Sequence, residues 1–169
     1  MATKADFSTG EWGRLLQAPV AAGFSVMLAD PDFTGILREL KALSRAFDRL
    51  EVPHEAEELV GSLVADLRAM SERKEHLPGS EDFTEGRPEE IRVRILEDLR
   101  GIGPILAARA TPGEAAGFRE WLIGIGRAVA EASREGGFLG IGGARVSEKE
   151  KAALRELAEV LGAPLPAAV

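Results

Sequence analysis

Three four-residue segments constrain the fold of this chain more than any other feature. They are Ser8-Thr9-Gly10-Glu11, Thr111-Pro112-Gly113-Glu114 and Ser147-Glu148-Lys149-Glu150. Each has the form of a capping box, in which a Ser or Thr side chain accepts from the third helical N–H and a Glu reaches back to the cap residue's own amide. Each opens a stretch that reads as a helix. Phe7 and Trp12 occupy the hydrophobic-staple positions of the first box. Pro112 takes the first helical position of the second, where a missing N–H costs nothing.

From these starts the helices can be laid out along the chain. The first covers 9–29, bends at Pro19 and ends at Asp30-Pro31-Asp32. A second over 34–50 follows from the spacing of Ile36, Leu37, Leu40, Leu43, Phe47 and Leu50. A third opens at Pro53 with Ala56, Leu59, Val60, Leu63, Leu67 and Met70 on one face. Residues 71–87 are polar and include Pro78-Gly79-Ser80 and Glu85-Gly86, which predicts a long loop. The fourth helix starts near Pro88 with Ile91, Ile95 and Leu99 inward, and Gly101-Ile102-Gly103-Pro104 bends or splits it before Ala110. The fifth spans 112–134, and the sixth spans 148–161 with Gly162 closing it. No segment alternates as a half-buried strand does. The expectation is an all-α chain, a single domain over 1–169 built as a compact bundle of about six helices.

Two finer expectations follow. Gly117, Gly124, Ala128 and Ala132 put small side chains along one stripe of the fifth helix, and Ala18, Ala21, Ala22 and Gly23 do the same on the first. A helical glycine costs about 1 kcal/mol relative to alanine, so such a stripe predicts close packing, here of the two helices against each other. The first two boxes also open similar units, a long small-residue-rich helix followed by a shorter amphipathic one, so two helix-loop-helix pairs are expected to be related as a pseudo-repeat.

Composition narrows the function classes. At 169 residues the chain is long enough to bury a core of its own. It has no cysteine, which removes disulfides and thiolate zinc sites. A net charge of -7, with basic residues interleaved among acids, argues against a nucleic-acid partner. The longest uncharged run, 15–29, is shorter than the roughly 20 residues that cross a bilayer and reads as a buried helix. The first residues lack the pattern of a secretory signal, so a cytoplasmic location is expected.

The motifs of chemistry fail on spacing. The glycines of Gly136-Gly137-Phe138-Leu139-Gly140-Ile141-Gly142-Gly143 precede a helix, but no lysine and hydroxyl follow them as a P-loop needs. Arg145 stands where a dinucleotide loop has its third glycine. The segment instead carries Phe138, Leu139 and Ile141, three apolar side chains that either cover the core or form an interaction surface for a second copy, another protein or a membrane. His54-Glu55 begins like a helical zinc-protease motif, but Glu58 occupies the second histidine's place. Gly23-x-Ser25 lacks the second glycine of a hydrolase elbow. No catalytic residue and no cofactor is expected, with a divalent cation on clustered carboxylates as the alternative.

The stretches Val129-Ala130-Glu131-Ala132-Ser133-Arg134-Glu135-Gly136, Val146-Ser147-Glu148-Lys149-Glu150 and Leu154 to Gly162 resemble the tellurite-resistance TerB-like helical family, with a weaker echo at Ala29-Asp30. In that family a small-residue-rich helix, an acidic turn and a capped second helix follow one another. Where the family carries Asp-Gly, this chain has Glu135-Gly136 and then the glycine-rich segment. The resemblance implies an all-α, non-enzymatic, cytoplasmic protein, stress-associated, that binds a cation through acids such as Asp30 and Glu135. The expected function is a non-catalytic helical binding or scaffold domain. A cation-binding stress protein stands second, and an enzyme of unrecognised class third.

Overall fold

The computed structural model describes residues 1–29, 50–76, 85–134 and 147–164. Its α-helices are α1 (Thr9–Met27), α2 (Glu57–Glu72), α3 (Pro88–Arg100), α4 (Ile102–Arg109), α5 (Pro112–Arg134) and α6 (Glu148–Leu161), with single 3-10 turns at Lys4–Asp6 and His54–Ala56. Among the described residues there is no strand. The helix expected over 34–50 lies, apart from Leu50, outside them, so only the first helix of that half of the expected pseudo-repeat is described.

All three capping boxes form. The Ser8 and Ser147 hydroxyls accept from the Glu11 and Glu150 amides, and those glutamates accept in return from the cap amides at 2.7 and 2.8 Å. Thr111 and Glu114 pair in the same way. The staple is also present, with the Phe7 and Trp12 rings 5.6 Å apart. Each box satisfies amides that have no partner within the helix, which fixes where the helix begins.

The uncharged run becomes the middle of the fold. α1 packs against each of the other described α-helices. Ten of its residues are buried, Trp12, Leu15, Leu16 and Val26 among them, and it continues as one helix through the buried Pro19. A helix apolar on all sides is stable only when surrounded, and α1 is the one so placed. Its single buried hydroxyl, Ser25 Oγ, donates to the Ala22 carbonyl at 2.8 Å. The Ser25 carbonyl, near the helix end and without an amide partner in the helix, accepts from Arg92 Nε at 2.8 Å. Arg92 Nη2 meets Glu156 at 2.6 Å, so one side chain of α3 joins the end of α1 to α6.

The apolar faces point as their spacing requires. Leu59, Val60 and Leu63 of α2 and Ile91, Ile95 and Leu99 of α3 are buried in the core. α3 ends at Arg100, and α4 begins two residues later. Pro104 has no N–H for the Arg100 carbonyl, so the ladder cannot run on. A Cβ at Gly101 would lie 2.9 Å from Arg14 Nη1, a contact that the exposed Arg14 side chain can relieve by moving. α2 runs to Glu72, slightly into the expected loop, and stops in a Schellman turn whose left-handed residue is Lys74, with φ 54°.

α5 corrects one expectation. It does pack against α1, but its small stripe faces elsewhere. A Cβ at Gly117 would lie 2.9 Å from that of Ala56 and 3.1 Å from that of Pro53, and one at Gly124 would meet Leu50 at 3.5 Å. The stripe therefore admits the 50–56 segment. The close approach to α1 comes at Gly126, where a Cβ would sit 3.2 Å from Val26 and 2.8 Å from Leu157. At about 100° per residue Gly126 is turned roughly 200° from Gly124, so the two glycines serve opposite faces.

Two carboxylates tie the first residues down. Asp66 accepts from Lys4 and Trp12, and the buried Glu114 accepts from the amides of Ala2 and Thr111. Burial pushes the Glu114 carboxyl up, but the Thr111 and Ala2 amides together hold it below its ordinary value. Among the described residues no helix is long and apolar enough to cross a membrane.

Candidate functional site

The residues singled out in the sequence, Asp30 and Glu135 for a cation and Phe138, Leu139 and Ile141 for interaction, all lie outside the described residues. The described histidines are both exposed, His54 at 3.4 Å from its neighbour Glu57 and His76 past the end of α2. No group of three or more His, Asp or Glu that could hold a metal ion occurs among the described residues.

What the structure does provide is a cavity of about 540 Å³ beside α5. Three segments far apart in sequence build it. α5 forms the floor through Ala116, Arg119, Glu120, Ile123, Gly124 and Arg127, which recur at three- and four-residue spacing and so lie along one strip of its surface. Leu50, Glu51 and Pro53 form one wall, held close because Gly117 and Gly124 have no side chains to keep that segment away. Gly162, Ala163 and Pro164 form the other.

The second wall exists because of how α6 stops. Gly162 has φ 63°, a left-handed conformation that glycine adopts without strain. Its amide donates to the Glu159 carbonyl and the Ala163 amide to that of Ala158, the paired bonds of a Schellman turn. The turn reverses the chain and brings Ala163 and Pro164 alongside α5.

Four charged residues line the cavity, and they are not equivalent. Glu51, Glu120 and Arg127 are exposed, so water and salt screen them. Arg119 is half-buried, and its Nε is sealed from water with no hydrogen-bond partner. Most of the remaining lining is apolar, with Leu50, Pro53, Trp121 and Ile123 among its residues. Such a lining suits a molecule with an apolar body and a polar end.

None of these residues stood out in the sequence as part of a site. Arg119, Glu120 and Arg127 carried no signal there; Gly124 carried one of close packing, Leu50 one of an apolar helix face, and Pro53 and Gly162 ones of helix ends. Compared with models of known families, with curated proteins and with solved structures, the chain matches none.

Proposed function

We propose that this protein is a non-catalytic helical binding domain and that the cavity beside α5 is its binding site. The observation that supports the reading is the cavity itself. Its volume of about 540 Å³ falls within the roughly 300–1,000 Å³ of small-molecule sites, and its lining is mostly apolar with a few polar groups, as theirs is. The most buried charged group in it is Arg119, whose guanidinium offers a planar set of donors suited to holding a ligand. A cytoplasmic setting and kinship with the TerB-like family belong to the same reading, on the resemblance of 129–136, 146–150 and 154–162. The cation-binding alternative rests on Asp30 and Glu135 and on that resemblance alone.

A thermal-shift screen of small organic molecules, run on the native chain and on Ala116→Trp, tests the proposal. Ala116 is an exposed cavity-lining residue, so an indole there fills the space without entering the core. A ligand that binds the folded form raises its melting temperature by mass action. The reading expects compounds that stabilise the native chain and fail to stabilise the variant. It is wrong if every stabilising compound acts equally on both.

A further inference from the structure

Resting on that reading, we infer that the cavity takes a small organic carboxylate, a monoanion with an elongated apolar body, whose carboxylate pairs with the guanidinium of Arg119.

The treatment of arginines elsewhere in the molecule carries the first step. Three arginines among the described residues are half-buried: Arg92, Arg94 and Arg119. Arg92 reaches the Ser25 carbonyl and Glu156, and Arg94 reaches the Glu85 carbonyl. Each gives its charge an acceptor from the chain, as a partly desolvated cation requires. Arg119 is the exception. The Nε of Arg94 and that of Arg119 are both sealed from water without an acceptor, but Arg94 has the Glu85 carbonyl at its Nη2, whereas the Arg119 guanidinium, in the lining of the cavity beside α5, has no acceptor from the chain among the described residues. A ligand bringing an acceptor to this guanidinium supplies what the fold supplies to the other two.

Geometry and charge select the acceptor. A guanidinium presents its N–H groups as a planar fork that a carboxylate matches with two parallel hydrogen bonds. Phosphate fits the fork as well, but the charge of the lining separates them. Two arginines and two glutamates line the cavity, so it has no net charge to spare, and the chain as a whole carries -7. A monoanion matches the single half-buried cation, whereas a phosphate dianion leaves excess negative charge beside Glu51 and Glu120.

The body of the ligand follows from the lining. From Ala116 to Arg127 the floor runs about 16 Å at 1.5 Å per residue, which favours an elongated molecule. Leu50, Pro53, Trp121, Ile123, Ala163 and Pro164 offer it apolar surface along that length.

Calorimetric titration of the full chain with decanoate tests the inference, with decanol and decyltrimethylammonium as probes of the same body and a different head. Decanoate is expected to bind at one site, at least tenfold more tightly than either. Arg119→Gln should weaken decanoate at least tenfold and leave decanol unchanged. Arg119→Lys, which keeps the charge and loses the fork, should fall between, and Arg127→Gln should change affinity less than threefold. Circular dichroism establishes that each variant is folded. Decanoate and decanol binding equally, with Ala116→Trp blocking both, overturns the carboxylate inference and leaves the cavity reading standing. Decanoate binding that Ala116→Trp leaves intact overturns both, and no decanoate binding to the native chain overturns the inference.

Discussion

Trp12 Nε1 donates to Asp66 Oδ2 at 2.9 Å, joining the first turn of α1 to the middle of α2. Lys4 Nζ reaches the same oxygen at 2.6 Å. One carboxylate thus holds both the segment ahead of α1 and the helix itself. The Lys4 ammonium, helped by the Trp12 indole, keeps the Asp66 carboxyl below its ordinary value despite partial burial. A carboxyl lowered on folding contributes stability that is present above its unfolded pKa, near 3.8, and is lost as pH falls through the folded value. Asp66→Asn is therefore expected to cost about 1 kcal/mol at pH 7. The two proteins should converge in denaturant midpoint at pH 2, and a difference independent of pH would show that the charge is not what matters.

Glu114 makes a stronger demand, because it is 3% exposed and both its oxygens are in use. Glu114→Ala removes a capping box and leaves two amides short of an acceptor, an expected loss of about 2 kcal/mol. Glu114→Gln should recover only part of this, since an amide can offer its single oxygen to only one of the two donors. The folded carboxyl is again lowered, so its contribution is present above its unfolded value of 4.5 and is lost progressively as pH falls through the folded one. Urea titrations at several pH values between 2 and 7 check both the magnitude and the direction.

Gly124 and Gly126 are two residues apart and should respond to alanine in opposite ways. At Gly124 the new Cβ meets Leu50 at 3.5 Å, an ordinary contact, so the gain in helix propensity of up to about 1 kcal/mol is kept. At Gly126 it would lie 2.8 Å from Leu157 and 3.2 Å from both Leu154 and Val26, all buried. Overpacking there is expected to outweigh propensity and destabilise by about 1 kcal/mol. Thermal melts of the two variants decide it: stabilisation by both would mean that α5 is less closely packed against α1 and α6 than described, and destabilisation by both that Gly124 has less room beside Leu50.

Lys74 carries its side chain in a left-handed conformation at the end of α2, where glycine is the usual residue. The conformation costs an L-residue about 1 kcal/mol, so Lys74→Gly should stabilise the protein by a few tenths to about 1 kcal/mol after the entropy of the unfolded glycine is subtracted. Chemical denaturation gives the number directly. A destabilised variant would show that the turn has a different backbone.

These contrasts also mark what the sequence could disclose. Capping boxes were legible because Ser8 and Glu11, or Ser147 and Glu150, speak to each other across three residues, and the split at Pro104 was legible because a missing N–H is a local fact. The small stripe on α5 was legible as a close approach but not in its partner. Spacing reports that a face is crowded, not which element crowds it, and Leu50, Pro53 and Ala56 took the place expected for α1. Gly126, which does face α1, stood alone on its face and formed no pattern. The contacts of Asp66 with Lys4 and Trp12 join residues 62 and 54 positions apart, and no local signal marks them. The cavity is the extreme case, because Arg119 differs from an ordinary surface arginine only through what residues 50–53 and 162–164 place around it.

The cavity beside α5 as a binding site is tested most directly by amide-resolved NMR of the full chain titrated with decanoate. The account predicts saturable shifts concentrated at Leu50 and Glu51, along Ala116 to Arg127, and at Gly162 and Ala163, with α3 and the distant end of α2 unmoved. Shifts concentrated on α2 or α3 would contradict it, while a spectrum that decanoate leaves unchanged would overturn the carboxylate inference.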